Sequence, residues 1–522
     1  MPSFAPAFLA SWTGGQWTTK PNLPLHGFTQ DTRKLRAGQV FVALRTDKRD
    51  GHSFLAAAMN AGASAAIVQH PDPELGLPQL VVPDPLRALQ VIGREHRLAF
   101  RGAVTGVTGS CGKTSTKNLL ARLLGGEPLV LATEGNLNNF IGVPLTLTRL
   151  EPGGHESAVI EAGISVPGEM EDLGAMIQPD YGIVTMVGPA HLQELGGIDG
   201  VAREKSVLLQ HIRPGGLGVF PKQCWDFLPF QDLPQPSLVA VPEGEHCIAP
   251  RTQSYGLRWT PTRTEAWIGG RRRFDFRRVT RGMAQNAVLG ILLASEMGVS
   301  DEAIQRGLDE WEPTKWRGEL KHDGRRTLYL DFYNANPASM ADSLENFCAL
   351  VPAEEPRLFV LGCMEELGEN AALYHRALGR SLKLRRQDQV LVIGTEAQAV
   401  REGALESGDT GQNVDVVTSL APIAARVAAF AGAVFIKGSR RYELEKVVPV
   451  TEASGGPGRA GETRPAEMPP ATGAPLPGPT AGGAATLPNA MSWTRGPNTM
   501  APLSWHFPRA VSAARSGVNW WR

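Results

Sequence analysis

The sequence predicts an α/β fold in three units, followed by an extension of different character. Short β-favouring apolar runs alternate with stretches of helical periodicity from about residue 26 to residue 450, as in parallel sheets flanked by helices. At 522 residues the chain is too long for a single core. From about residue 451 the composition turns abruptly to Pro, Gly, Ala and Thr, which cannot bury enough apolar surface to offset the entropy of ordering. The expected divisions are 1–100, 101–310, 311–450 and a disordered tail, 451–522. The tail's Trp505, Trp520 and Trp521, with Arg509, Arg515 and Arg522, are read as part of that unstructured extension.

In the first unit, Val40-Phe41-Val42-Ala43-Leu44, Ala65-Ala66-Ile67-Val68 and Leu80-Val81-Val82 are strand candidates, and Phe54 to Ala61 a short helix. Asp31-Thr32-Arg33 and Asp50-Gly51-His52 lie between them, in patterns typical of turns and caps.

The second unit opens with Val104-Thr105-Gly106-Val107-Thr108-Gly109-Ser110-Cys111-Gly112-Lys113-Thr114-Ser115-Thr116-Lys117. An apolar strand reaches a glycine turn, and Leu119, Leu120, Leu123 and Leu124 then mark a helix. Strand, glycine loop, Lys-Thr and helix form a phosphate cradle: backbone N–H groups face the anion, Lys113 adds positive charge and Thr114 offers a hydroxyl to Mg²⁺. Val107 stands where the general motif has its first glycine, so the loop is a short variant. An ATP site is predicted in preference to a glycine turn with an exposed lysine.

Beyond the loop come the polar turn Thr133-Glu134-Gly135-Asn136-Leu137-Asn138-Asn139, the apolar segment Ile141 to Leu147, and a strand Ala158-Val159-Ile160 ending in Glu161. A further strand, Tyr181 to Val187, ends in Gly188-Pro189-Ala190-His191. Ligands of open parallel sheets sit beyond the carboxyl ends of the strands. Lys113-Thr114, Glu161 and His191 each fall at such an end, so three strands aim metal-compatible groups at one crevice. On the helix Val201 to Ile212, Lys205 shares the face of Val201, Leu208, Leu209 and Ile212. A buried ammonium is costly unless paired or neutralised, and burial makes the amine nucleophilic; a lysine snorkelling at the rim is the alternative. Residues 215–280 read as a β-rich excursion, with Arg271-Arg272-Arg273 a solvated tip, and a helix Asn286 to Met297 closes the unit.

In the third unit, Leu328-Tyr329-Leu330-Asp331, Arg357 to Leu361, Val390 to Ile393 and Val434-Phe435-Ile436 are strands. Asn334-Ala335-Asn336-Pro337 is a turn and Ser339 to Leu350 a helix. No glycine fingerprint follows the first strand, so no second phosphate loop is expected.

Lysine plus arginine and aspartate plus glutamate balance at 52 each, giving no electrostatic reason to expect a nucleic-acid partner. The five cysteines, Cys111, Cys224, Cys247, Cys348 and Cys363, form no CxxC pair, which argues for a reducing compartment and against a disulfide framework or structural zinc. Met1 to Gly15 lacks a secretory pattern and no apolar run suffices to cross a bilayer, so a soluble, cytoplasmic protein is expected. A monomer is expected as well.

The run Thr108 to Lys117, Gly135-Asn136-Leu137-Asn138-Asn139 with Gly142-Val143-Pro144, Glu161, and Gly188-Pro189-Ala190-His191 together resemble the ATP-dependent Mur ligases of peptidoglycan synthesis. Asp331 to Met340, Gly362-Cys363-Met364-Glu365-Glu366-Leu367-Gly368 and Lys437-Gly438-Ser439-Arg440 look like the MurF branch of that family, and the likeness spans about residues 26 to 450.

The resemblance implies a three-domain architecture with a central ATPase domain and a Rossmann-like C-terminal domain. It also implies an ADP-forming ligase that joins D-alanyl-D-alanine to UDP-N-acetylmuramoyl-tripeptide through an acyl phosphate. By position it gives Gly109, Ser110, Cys111, Gly112, Lys113, Thr114 and Ser115 to the ATP phosphates, Asn286 to the adenine side, Arg317 to a phosphate and Asp331 to the ribose. Thr114 and Glu161 would hold one Mg²⁺ and His191 a second, with Lys205 a CO₂-derived carbamate ligand. Asp31, Thr32, Arg33, Asp50, Gly51 and His52 would hold the UDP end; Asn136, Asn138, Asn334, Asn336, Ser339 and Arg440 lie on the substrate side. The chain departs from the family at Gly282-Met283, where many members have His-Asn, and at Cys363, Thr32 and Ala162. A sister ligase adding another amino acid, and a catalytically silent nucleotide-binding scaffold, remain alternatives at this point.

Overall fold

A computed structural model describes residues 2–46 and 48–449; the compositionally distinct tail from 451 lies outside the described residues. Three larger sheets follow one another along the chain. The first has five strands in the order Gln16–Trp17, Gln79–Val81, Ala65–Val68, Val40–Val42 and Phe28–Thr29, parallel except at the Gln16–Trp17 edge. The short helix after Asp50 is split into a 3₁₀ turn, Gly51–Phe54, and an α-helix, Leu55–Asn60.

Helix α1, Pro85–Ala99, begins where Asp84 accepts the N–H groups of Leu86 and Arg87 and proline takes the first helical position. Its buried Ala88, Leu89 and Ile92 belong to the core of the first sheet. Its far end engages the next unit. A Cβ on Gly93 would come within 2.9 Å of Pro144. Arg97, fully buried, donates to the carbonyls of Ile177 and Gln178, each at 2.9 Å, and to Asp180 Oδ2 at 2.8 Å. That same Asp180 oxygen accepts the Val104 N–H at the start of the next strand.

The central sheet contains β1 (Ala103–Thr108), β2 (Val130–Ala132), β3 (Ser157–Glu161), β4 (Tyr181–Val184), β5 (Leu217–Pro221), β6 (Ser237–Pro242), β7 (Thr252–Trp259), β8 (Arg263–Ile268) and β9 (Arg272–Arg277), in the order β2-β3-β1-β4-β5-β6-β7-β8-β9. It is parallel through β7 and antiparallel across β7-β8-β9, because two tight hairpins end the run of crossovers. Each face carries its own apolar cluster, Val107, Val159 and Ile183 on one side and Val104, Ile160 and Val184 on the other. Such two-sided burial explains the apolar runs of β3 and β4 and the burial of Thr105 and Thr108 in β1. Val107 pairs with Glu161 and Thr108 with Val184, so the carboxyl ends of β3, β1 and β4 finish level.

Helices α2 (Lys113–Leu123), α3 (Gly142–Leu147), α4 (Ile198–Gln210) and α5 (Arg281–Glu296) surround this sheet. Two expected boundaries differ. β4 stops at Val184 instead of Val187, because the Thr185 hydroxyl turns to the Thr108 and Cys111 carbonyls, at 3.3 and 2.5 Å. α5 starts at Arg281, five residues before Asn286, because the Thr280 hydroxyl caps the Met283 N–H; Asn286 therefore sits in its second turn. A helix Asp301–Asp309, capped by Ser300, follows and was not anticipated.

The third sheet holds β10 (Glu319–His322), β11 (Arg326–Asp331), β12 (Arg357–Gly362), β13 (Gln389–Ile393), β14 (Val414–Val417) and β15 (Gly432–Lys437), in the order β10-β11-β15-β12-β13-β14. Only the edge strand β10 is antiparallel; its sequence, Glu-Leu-Lys-His, carries little strand signal. Helix α6, Pro337–Leu350, begins on an Asn336–Ser339 capping box and sends Phe347 into a cluster with Tyr329, Phe359 and Phe435. Among the described residues no helix is long and apolar enough to cross a membrane.

Arg97→Leu takes the guanidinium from the Ile177 and Gln178 carbonyls and from Asp180 at the seam with the central sheet and should lower stability by about 3 kcal/mol. Urea melts check this, and an unchanged midpoint would show that the seam does not join α1 to the central sheet.

Candidate active site

The phosphate loop begins where β1 ends. Gly109 and Gly112 adopt φ of +146° and +85°, and a Cβ at either would clash, with Thr185 Oγ1 at 1.8 Å or with Asn286 Nδ2 at 2.1 Å. Glycine is therefore demanded twice over, by backbone and by neighbour. Gly112 caps α2 without a side chain, leaving the first N–H groups of the helix directed at the loop. Lys113 folds back onto the Gly109 carbonyl at 2.8 Å. Ser110 and Gly188 exchange hydrogen bonds, hydroxyl to carbonyl and N–H to hydroxyl, both 2.9 Å, which ties the loop to the segment leading to His191. Gln223 clamps that segment from the other side: its Oε1 accepts the Val187 N–H at 3.2 Å and its Nε2 donates to the Val187 carbonyl.

Glu161 stands next to Thr114. Its Oε1 accepts the Thr114 hydroxyl at 3.2 Å and the Asn138 side-chain amide at 2.8 Å. Its Oε2 is buried and has no hydrogen-bond partner. An orphaned carboxylate oxygen beside a hydroxyl suits a hard divalent cation that completes its shell with phosphate oxygens and water. No trio of His, Cys, Asp and Glu converges among the described residues, so a magnesium ion here would depend on the nucleotide for its remaining ligands.

The surrounding charges are strongly positive. Burial pushes the Lys113 ammonium below its ordinary pKa, with Glu161 opposing that shift. Lys117, also buried, donates to the Thr133 carbonyl at 2.6 Å and is pushed down by burial in the same way. Arg317 lies near enough to both lysines to disfavour their charge, and its guanidinium sits over the Tyr333 ring at 4.1 Å. Lys205, on the inner face of α4 and 2 % exposed, forms no hydrogen bond or ion pair with any described residue. Burial, reinforced by Lys113, moves its pKa well below the normal lysine value. The rim alternative is excluded, since the side chain is inside.

His191 is reached through the Gly188 tie, and its Nδ1 lies 2.8 Å from Glu366 Oε2. From the third unit, Asn336 Nδ2 approaches the Ser110 carbonyl at 3.5 Å and Asn118 Nδ2 donates to Thr314 Oγ1 at 2.8 Å. Asp331 Oδ2 is taken by Lys437 at 2.6 Å and the Ser343 hydroxyl at 2.5 Å, so only Oδ1 is left without a side-chain bond. Gly282 has its own explanation: its N–H donates to Asp342 Oδ1 at 2.9 Å, and a Cβ there would lie 2.8 Å from Oδ2. A carboxylate from α6 thus meets the first turn of α5.

Other anticipated residues are engaged locally. Asp31 accepts the Arg33 N–H and guanidinium and caps the 3₁₀ turn containing Thr32. Asp50 Oδ1 meets His52 Nδ1 at 2.6 Å, while His52 Nε2 accepts the Gln69 and His70 N–H groups, which fixes the tautomer. Gly51 packs where a Cβ would meet the Leu44 backbone at 2.6 Å. Among the described residues no hydrogen bond links these two clusters to the phosphate loop. Asn136 is an exposed turn residue, Ser115 is buried in α2, and Ser339 completes the α6 capping box. Asn334 accepts Lys437 through its carbonyl, and Arg440 pairs with Glu445 and lies over Trp316. Gln223 and Asp342 carry much of this architecture without having been singled out, and Lys117 and Lys437 were named only as members of longer motifs. For Lys117 the sign was legible: it lies one turn before Leu120 and two turns before Leu124 on the helical stripe.

Residues 107–226 match the Mur ligase middle domain and residues 316–440 the Mur ligase glutamate ligase domain. The UDP-N-acetylmuramoyl-tripeptide–D-alanyl-D-alanine ligase of Escherichia coli (strain K12) is 30 % identical over 446 residues, covering 83 % of this chain and 95 % of that protein. The enzyme of the same description from Bacillus subtilis (strain 168) is 29 % identical over 81 % of this chain and 92 % of its own. The crystal structure of MurF from Acinetobacter baumannii superposes with a TM-score of 0.75 at 27 % identity, covering 86 % of this chain and 98 % of that one. MurF from Thermotoga maritima in complex with ADP gives 0.69 at 25 % identity, over 81 % and 96 %. The chain belongs to the Mur ligase family, within its MurF branch.

Proposed function

We propose that the chain is an ATP-dependent, ADP-forming ligase that joins D-alanyl-D-alanine to UDP-N-acetylmuramoyl-tripeptide in peptidoglycan precursor synthesis, acting as a cytoplasmic monomer. The observation that carries the reading is the gathering of Lys113, Thr114, Glu161 and Lys205 around one glycine loop. The units are read as a UDP-binding domain, 1–100, an ATP-binding domain, 101–310, and a C-terminal domain, 311–450. Asp31, Thr32, Arg33, Asp50, Gly51 and His52 are assigned to the UDP end, where their mutual bonds would hold them preformed.

In this reading the loop N–H groups and Lys113 grip the triphosphate, Arg317 bears on its terminal phosphate, and Asn286 and Asp331 orient adenine and ribose. The tripeptide carboxylate attacks the γ-phosphorus and ADP leaves, forming an acyl phosphate. The D-alanyl-D-alanine amine then adds to the acyl carbon, the tetrahedral adduct loses a proton, and expulsion of phosphate leaves the amide. Protein groups contribute mainly position and charge neutralisation in a dry site. Bound Mg²⁺, read as two ions on Thr114, Glu161, His191 and modified Lys205, would supply charge neutralisation and a template for the phosphates. Lys205 is suited to that modification: burial lowers its pKa and favours the free amine, which can add CO₂ through the nitrogen lone pair and release a proton, leaving a carbamate. A costly cation thereby becomes an anionic ligand. Asn136 and Asn138 are assigned to the tripeptide side, and Asn334, Asn336, Ser339 and Arg440 to the amine side.

Four outcomes test the reading. Purified protein should release ADP only when UDP-tripeptide and D-alanyl-D-alanine are both present; release with a single amino acid but not the dipeptide would assign it to a sister ligase. Lys113→Ala should lower kcat by about 10²–10³-fold, and unchanged turnover would instead indicate a scaffold. Turnover should fall on acidification as the Lys205 amine takes up its proton, since a depressed pKa leaves the reactive free base present above it and lost below it. Added bicarbonate at fixed pH should restore rate after CO₂ depletion; indifference to bicarbonate in stopped-flow assays of depleted enzyme would exclude the carbamate.

A further inference from the structure

We propose that Glu366 is a positioning residue for His191, one that makes the second metal site depend on docking of the C-terminal unit. The inference rests on the metal-site reading above. A deprotonated carboxylate can only accept, so the 2.8 Å contact puts the neutral imidazole's proton on Nδ1 and leaves the Nε2 lone pair free for a cation. The partners come from different sheets: His191 follows β4 of the central sheet, and Glu366 follows β12 of the third.

Both residues are held in the left-handed region, His191 at φ +50° and Glu366 at φ +63°. Non-glycine residues in this region are strained and persist where the surroundings over-determine them. Here two of them meet in one contact. Gly368, at φ +60°, brings the same loop against Gln193, where a Cβ would lie 3.2 Å from Gln193 Cβ, so backbone packing fixes the pair. The other bonds crossing this boundary, Asn336 to Ser110, Asn118 to Thr314, Gly282 to Asp342, Arg277 to Glu312 and Arg281 to Glu345 among them, do not touch a candidate metal ligand. Among the described residues Glu366 is the only group of the third unit that does. With that unit undocked, the imidazole loses the acceptor that sets its tautomer and orientation.

The test uses full-length protein in bicarbonate buffer with a non-hydrolysable ATP analogue and UDP-tripeptide, titrated with Mn²⁺ and read by electron paramagnetic resonance of the free ion. Wild type should take up two ions. Glu366→Ala should keep the tighter one and bind the other about 10–100-fold more weakly. Glu366→Gln, whose amide oxygen can still accept from Nδ1, should retain most of that affinity. His191→Ala should match Glu366→Ala, and the double variant should lose little more. Two ions bound normally by Glu366→Ala, or a double variant much weaker than His191→Ala, would overturn the proposal. Wild type that binds the ATP analogue but no Mn²⁺ would overturn the metal-site reading and this inference with it.

Discussion

Everything in this molecule turns on the burial of charge at the level ends of β3, β1 and β4. Lys113 bears on the buried Lys205, Arg317 bears on both Lys113 and Lys117, and Glu161 is the carboxylate opposing those two shifts. Such a cluster is unfavourable alone, because buried cations lose their hydration and like charges disfavour one another. It becomes favourable when a polyanion arrives. The fold therefore stores an electrostatic deficit at the mouth of the sheet, and in the proposed function a triphosphate is the ligand whose charge would remove it.

The rest of the structure can be understood as support for that deficit. Parallel pairing with buried faces makes the three strand ends finish together. The two loop glycines let backbone approach Thr185 and Asn286 more closely than any other residue could. Ser110 and Gln223 hold the Val187–Gly188 segment from both sides, so the route from the phosphate loop to His191 is short and hydrogen-bonded. On the far side the third unit presents Asp331, Asp342 and Lys437 near Cys111, so charged groups of two units face the phosphate loop.

Much of this was legible in the chain. The strands ending at Thr108 and Glu161 announce themselves as apolar runs that stop at a polar residue, and the inward face of Lys205 follows from helical spacing with Leu208 and Leu209. Boundaries set by a single hydroxyl were less visible: Thr280 starts α5 five residues early and Thr185 ends β4 three residues short, and neither bond has a periodic signature. Tertiary pairings were not visible at all. Lys437 on Asp331, Asp342 on Gly282 and Glu366 on His191 join residues 60 or more apart in sequence, and no local spacing announces such a pair. The Asp31 and Asp50 turns show the converse, since their local pattern correctly signals caps whatever ligand they also meet.

The most direct measurement is a crystal structure of the protein grown with Mn²⁺, bicarbonate and a non-hydrolysable ATP analogue, using anomalous scattering to locate the metal. The account predicts a manganese peak at about 2.1 Å from Thr114 Oγ1 and from a Glu161 oxygen, with added carboxylate density on Lys205 Nζ. A nucleotide bound away from the Gly109–Thr114 loop, or manganese remote from Glu161, would contradict it.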